Sequence, residues 1–343
     1  VERHGTSGAL RWAIAGRSLA KLDAVARETG ADVERMVVDA ADEAALADLA
    51  ASTRVVVSTV GPYARYGSPL VAAVAAAGTD YCDLTGEPQW MRRMIDLHHE
   101  RARQTGARIV HTCGFDSIPS DVGTFAAQQA FKAKFGRYAS KVTALFGEMS
   151  GGISGGTIAS AMETAREAGK DIAVRKNLGN PYGLDPDPEA SKAARPRVRD
   201  EASIGWEPHL KMFTVPFVMA QINTRVVRRA QALTGSPWGE DFVYREVMSA
   251  PGKPAGLARA IGTMGFLGGV AFAVLALLGA LSAWRMPVGL FPLVDFPRVV
   301  VSLEAGDRPV ELHPGRGAPE RGGDAVPQRA ADAPEDAEAG LGE

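Results

Sequence analysis

The densest run of reactive side chains is "IVHTCGFDSIPSDVG", where His111, Cys113, Asp116, Ser117, Ser120 and Asp121 fall within eleven positions. So many titratable and hydroxyl groups at a strand-to-helix junction are what proton donation to a bound substrate needs. Asp116 and Ser117 are the candidates to line such a site, and Ser120 or Asp121 reads as the cap of the helix that follows. Cys113 has no activating partner nearby in sequence and reads as a packed thiol. In "VVVSTVGPYARYGSPL" an apolar β-branched run ends at Ser58 and Thr59, and Gly61 and Pro62 turn the chain where ligands bind in open α/β sheets. That places Tyr63 over a cofactor, with Gly61 needed by the turn, by contact with the ligand, or by both. "TDYCDLTGEPQW" repeats the pattern with Asp83, Thr85, Gly86 and Glu87, and Glu87 before Pro88 reads as a helix cap.

Phosphate chemistry points to "LRWAIAGRSLAKLDAV". An acid at the end of this strand would bind the ribose 2′-hydroxyl of NAD, whereas Arg17 can pair with the 2′-phosphate of NADP, so NADP is favoured. Gly16 closes the strand, Ser18 caps the helix and adds a donor, and Lys21 lies one turn along on the same face. The bland alternative is an Arg17 that only solvates a turn. Asp39, after the next strand, either contacts the adenine amine or caps the following helix. "GGISGGTIASA" lacks the lysine of a P-loop and the spacing of a dinucleotide fingerprint, and its glycines would let a substrate chain come close. No metal-ligand spacing is present, and Cys82 and Cys113 make no disulfide framework. His98 and His99 sit on a charged helix and read as solvated.

The elements that must hold these groups are short apolar strands alternating with amphipathic helices. The strands are Leu10–Ala15, Val33–Val38, Arg54–Ser58, Thr79–Asp83 and Arg108–Thr112; the helices are Ser18–Glu28, Asp42–Ala51, Ser68–Ala77 and Gln89–Gln104. This is an α/β chain with a Rossmann-like, doubly wound parallel sheet. Only "VERHGTSGA" stands before Leu10, so the first strand and its glycine-rich turn are missing from the pattern and the N-terminus reads as incomplete. The expected organisation is an NADP-binding domain over 1–130, a mixed α/β domain over 131–303, and a disordered tail over 304–343 whose composition also suits a frameshift product. Within the second domain, residues 179–200 read as a surface loop. The segment Phe213–Leu233 reads as an amphipathic helix after Pro216, with Arg225, Arg228 and Arg229 on its solvated side.

Hydrophobic residues make up 46% and charged residues 23% of the 343, and the net charge of −2 gives no sign of a nucleic-acid partner. One segment breaks the soluble pattern. Ile261–Trp284 lies within 25 uncharged residues, 260–284, enough for a helix to cross a hydrocarbon core that needs about 20. The flanking basic residues put the rest of the chain on the cytoplasmic face of the plasma membrane.

Taken together, "AGRS", "STVGPYARYGSPLV", "GTDYCDLTGEPQW", "CGFDSIPSD", "SGGTIASAM" and "INTRVVRRA" closely resemble the saccharopine dehydrogenase-like oxidoreductases, in the branch that includes actinobacterial trans-acting enoyl reductases. The resemblance implies NADPH as reductant and a lipid or polyketide intermediate as substrate, made by a polyketide synthase. It implies hydride delivery to the β-carbon of an enoyl thioester and protonation of the α-carbon. Two other readings stand beside it: a saccharopine-type amino-acid dehydrogenase, and a membrane-associated member of the fold without catalysis.

Overall fold

The computed structural model describes residues 11–147, 155–280, 299–304 and 309–311, with Pro251, residues 270–280 and those after 298 described as backbone alone. In the first half, β1 (Ala13–Gly16) leads into α1 (Leu19–Thr29), β2 (Glu34–Val37) into α2 (Glu43–Ser52), and β3 (Val55–Ser58) into α3 (Tyr63–Tyr66) and α4 (Ser68–Ala77). β4 (Asp80–Asp83), α5 (Pro88–Thr105), β5 (Ile109–Val110) and α6 (Ile118–Phe135) complete the series. Local chemistry starts the helices: the side chains of Ser18 and Asp42 accept the backbone N–H groups of Lys21 (3.4 Å) and Ala45 (3.0 Å) in the first turns. Gly78 ends α4 at a φ of 77°, and a Cβ there would lie 2.9 Å from the Thr105 carbonyl oxygen, so glycine is what lets the ends of α4 and α5 meet.

The parallel strands form two sheets where one doubly wound sheet was expected. β1 pairs with β2, Gly16 opposite Val37, while β3–β4–β5 make a second sheet with Ser58 opposite Asp83 and Cys82 opposite Val110. α2 packs on α4 across the break. Parallel strands are ordinarily covered on both faces, yet Val55 and Val57 of β3 are 51% and 66% exposed. The core of this half lies on the other side, among Tyr63, Val71, Val74, Tyr81, Trp90 and Met94.

The second half is built on β6 (Lys141–Phe146), α7 (Gly155–Lys170), α8 (Ile172–Gly179), α9 (Pro188–Ala194), β7 (Gly205–Glu207), β8 (Met212–Pro216) and α10 (Ala220–Leu233). It ends with β9 (Val243–Pro251), α11 (Pro254–Ala280), β10 (Val299–Glu304) and β11 (Pro309–Glu311). These strands form one mixed sheet in the order β11-β10-β6-β9-β8-β7, with β6 and β9 parallel and the other pairs antiparallel. α6 runs through residue 130, the expected domain boundary, and its Phe131 packs with Val142, Phe146, Phe217 and Tyr244. One helix thus runs across the expected boundary into the core of the second half.

Several expectations change. Residues 179–200 are not a surface loop: they contain α9, and Asn180, Tyr182, Leu184 and Asp185 are buried. Residues 309–311 of the expected disordered tail are a strand paired with β10, while 312–343 lie outside the described residues. α11 covers the apolar segment as far as Ala280, and its Ala260 is packed against Val215 and Ala250 of the mixed sheet. Residues 281–284 of that segment lie outside the described residues, as do 1–10. Among the described residues, no helix is long and apolar enough to cross a membrane.

Candidate cofactor and substrate site

Three strand ends, those of β3, β4 and β5, are tied to one another by buried side chains. Glu87 is the N-cap residue of α5, as expected, but its side chain makes no capping bond there. Its carboxylate instead accepts the backbone N–H groups of Tyr63 and Ala64, both at 2.8 Å, and the Ser160 hydroxyl at 2.7 Å. The expected cap of α5 is therefore a cap of α3, supplied from another loop to a helix start whose N–H groups would otherwise be orphaned. This fixes the turn at Thr59, Gly61 and Pro62, where the Gly61–Pro62 peptide is cis. Tyr63 lies inside this arrangement, 4% exposed, and not over it as expected. Its hydroxyl donates to the Ser58 carbonyl at 2.9 Å and accepts the Leu84 N–H at 3.2 Å, joining the ends of β3 and β4. Burial pushes its phenol up to about 12.

Asp83 does the same between β4 and β5. Fully buried, it accepts the N–H groups of Thr85 (3.1 Å) and Thr112 (3.0 Å) with one oxygen and meets His111 Nδ1 at 2.7 Å with the other. Thr112 is thereby held at a φ of 59°, a left-handed conformation rare for a β-branched residue. Beyond it the chain turns at Gly114, where a Cβ would come within 2.5 Å of Asp116 Oδ1. The Asp116 side chain folds back over that glycine. Its carboxyl is shielded enough by protein atoms to sit above the usual carboxylate range, although the residue remains exposed. Cys113 is the packed thiol expected, pushed up to about 11 by burial and by Cys82 beside it.

Ser117, and not Ser120 or Asp121, is the N-cap residue of α6, but its hydroxyl makes no capping bond. It donates to Asn223 Oδ1 at 2.8 Å. Asn223 Nδ2 is shared among the Asp116 carbonyl (2.8 Å), Ser120 Oγ (3.2 Å) and Glu246 Oε2 (3.1 Å), and the Tyr244 hydroxyl donates to Glu246 Oε1 at 2.6 Å. A wholly buried asparagine of α10 therefore joins the β5 turn to the mixed sheet. Asn223 lies in the motif "INTRVVRRA", but its role there is not legible in the sequence, since its partners are more than a hundred residues upstream or on a later strand.

At the end of β1, Arg17 and Lys21 stand exposed beside the first turn of α1, which Ser18 caps. Two cations around a helix N-terminus fit a phosphate monoester on a ribose. Gly16 sits over Leu22, and a Cβ there would be 3.4 Å from that side chain. Of the two roles left open for Asp39, capping is excluded: Asp42 caps α2, and Asp39 Oδ1 accepts the Ala41 N–H at 2.9 Å in a turn. Asp39 is exposed.

The arginines of α10 are not a solvated face. Arg225 is 5% and Arg228 4% exposed. Arg225 bonds the Leu178 carbonyl (2.7 Å) and Asp200 (3.1 Å), Arg228 bonds the carbonyls of Pro181 (3.0 Å) and Tyr244 (3.3 Å), and Arg229 bonds that of Leu184. Their guanidinium forks clamp residues 178–184 to α10. His98 is half-buried as well, which lowers its affinity for a proton, and only His99 of that pair is exposed as expected.

Parallel strands alternating with helices, a cationic helix start and linked strand-end turns are the parts of a dinucleotide-binding α/β domain. Residues 1–110 match the family model of the saccharopine dehydrogenase NADP binding domain, so the resemblance read from the motifs, and NADP with it, is borne out. A Mycobacterium tuberculosis H37Rv protein provisionally named as a trans-acting enoyl reductase, Rv2449c, is 44% identical over 71% of this chain and 59% of its own length. The trans-acting enoyl reductase of Mycobacterium ulcerans is 42% identical over 70% of this chain and 59% of its own. The chain thus spans about three-fifths of these relatives, 59% in each case. Among solved structures, apo saccharopine dehydrogenase (L-Glu forming) of Saccharomyces cerevisiae is 17% identical, covering 50% of this chain and 32% of that one with a TM-score of 0.30.

Proposed function

We propose that this chain is an NADPH-dependent reductase of a carbon–carbon double bond in a lipid or polyketide thioester presented by a polyketide synthase. The observation that carries this reading is the character of the strand-end turns. Val60 after β3, Leu84 after β4 and Phe115 after β5 are each nearly half exposed, at 49%, 47% and 49%, and offer an acyl chain apolar contact. A substrate with several carboxylates needs free arginines, and those of α10 are bonded to the protein itself. That weighs against the saccharopine-type reading.

Arg17, Ser18 and Lys21 would hold the 2′-phosphate, Asp39 the adenine, and the turn at Thr59, Gly61 and Pro62 the nicotinamide end, with Gly16 letting the chain pass close. NADPH, when bound, supplies the hydride that adds to the β-carbon. Of the three catalytic candidates, Asp116 is the one with an accessible side chain, and its raised proton affinity suits delivery of a proton to the α-carbon. Tyr63 and Ser117 hold the turns around it. Membrane association at the cytoplasmic face rests on the hydropathy of residues 261–284 and on Ile261 and Phe266, 57% and 64% exposed on α11. Recovery in the soluble fraction without detergent would reject it.

Titration by NADPH fluorescence, followed by NADPH oxidation with a medium-chain 2-enoyl pantetheine thioester, tests the reading. Binding plus thioester-dependent oxidation is expected. NADPH binding with turnover of an amino acid and aldehyde pair instead would favour the dehydrogenase, and absence of NADPH binding would leave only a non-catalytic role.

A further inference from the structure

One buried acid has no part in the reduction proposed above. Glu246 of β9 is 1% exposed, and burial raises its affinity for a proton against the pull of the donors around it, Ser120, Tyr244 and Asn223. All three donors are neutral. A carboxylate among neutral groups gives up its hydration without a counter-charge, which makes it a costly acceptor where an amide or hydroxyl would serve. What an ionised carboxylate does better is accept on every side and donate on none.

That property bears on Asn223. A side-chain amide has a donating and an accepting end of nearly the same shape, and its partners decide which way round it sits. The hydroxyls of Ser117 and Ser120 can give or take a hydrogen bond and leave that choice open. The Asp116 carbonyl and the Glu246 carboxylate can only accept, and they lie 2.8 and 3.1 Å from Nδ2. Two such acceptors fix the donating end there and leave Oδ1 for the Ser117 hydroxyl, at 2.8 Å. The Tyr244 hydroxyl holds the other Glu246 oxygen at 2.6 Å and keeps the carboxylate in place. So oriented, the amide grips Asp116 and Ser117 where the turn meets α6, beside the bonds from the Ser117 and Ile118 N–H groups to the Gly114 carbonyl at 3.1 and 3.0 Å.

We infer that Glu246 is a positioning residue: from β9, through the orientation of the Asn223 amide, it sets the place of Asp116 in the turn before α6. Its consequence for catalysis rests on the reading of Asp116 as the proton donor of the proposed reduction. Glu246 acts through Asn223 and not on the substrate.

Glu246→Leu and Glu246→Gln, each in the whole chain, test it. Leucine fills the space and accepts nothing, so the Asn223 amide is free to turn. Glutamine has one acceptor oxygen for two donors and divides it between Asn223 and Tyr244. With a medium-chain 2-enoyl pantetheine thioester, kcat should fall by roughly thirtyfold for leucine and roughly three- to tenfold for glutamine, the scale of a misplaced reacting group. The Kd of NADPH should stay within about twofold of the parent value, since general damage to the fold would weaken binding and rate together. A folded variant with the parental kcat, or one that loses NADPH affinity in step with kcat, would overturn the inference. If the leucine variant does not fold, the glutamine variant decides by the same two measurements. A parent chain that binds NADPH and does not reduce the thioester fails the proposed function instead, and hydrogen exchange then decides on Glu246. The Ser117 and Ile118 amides should exchange about fivefold faster in the variants while those of β9 keep the parental rate, and equal exchange at Ser117 and Ile118 would reject the positioning role.

Discussion

The Glu87 carboxylate caps a helix to which it does not belong: its Oε1 lies 2.8 Å from the backbone nitrogen of Tyr63, the first residue of α3. The turn that carries Thr59, Gly61 and Pro62 is held from behind by this bond and by its twin to Ala64.

Removing Glu87 should therefore loosen that turn. Glu87→Ala leaves two backbone N–H groups and the Ser160 hydroxyl without an acceptor, and is expected to cost roughly 2–4 kcal/mol in urea unfolding. Glu87→Gln keeps one acceptor oxygen and should cost about half as much. Equal stability of both variants and the parent would mean the bonds do not persist in solution.

Arg17→Asp should weaken NADPH binding by roughly ten- to a hundredfold, because the 2′-phosphate loses a charged donor and meets a like charge. NADH affinity should change by less than about threefold, since NADH has no such phosphate. A matched loss for the two nucleotides, read by fluorescence titration, would make Arg17 a structural residue.

Asp116→Asn should leave NADPH affinity near the parent value and lower the reduction rate by roughly a hundredfold, the usual scale of a positioned proton donor. If the rate is unchanged, the proton comes from elsewhere and Asp116 only shapes the turn at Gly114.

Asn223→Ala strips the shared partner from Ser117, Ser120 and Glu246 at once, so a loss of about 3–5 kcal/mol is expected, against about 1 kcal/mol for Ser117→Ala. Chemical denaturation measures both. Similar small losses would show that water replaces the amide.

Asp121 gives a pH signature. Burial pushes its carboxyl up to about 6, so the folded state binds its proton more tightly than the unfolded chain does. Its contribution to stability therefore declines as the pH rises from near 4 to about 6 and is fully lost above that. Asp121→Asn should flatten stability against pH across this window and raise stability at pH 7 by roughly 1–2 kcal/mol. A parent chain with flat stability between those pH values would contradict the shift.

What the sequence determined by itself is local. Ser18 and Asp42 mark the first turns of α1 and α2, and Ser68–Ala77 stands in the fold with the boundaries its own residues imply, because Pro69 suits a first turn and Gly78 a last one. The strand-end turn at Gly61, the cationic start of α1 and, through Arg17, a preference for NADP were legible in residue types and their positions. Tertiary structure decided which partner each polar side chain takes. Glu87 sits where a cap of α5 belongs and caps α3, since the nearest unpaired N–H groups belong to Tyr63 and Ala64. Arg225 and Arg228 follow the spacing of a solvated helix face yet are buried, because residues 178–184 bring their carbonyl groups across that face. Periodicity says which side chains share a side of a helix, but whether that side meets water depends on segments distant in sequence that pack against it. For the same reason the motif around Asn223 did not show its role: a hydrogen-bond hub is defined by the groups that converge on it, and those converge only once the β5 turn, α10 and β9 have folded together.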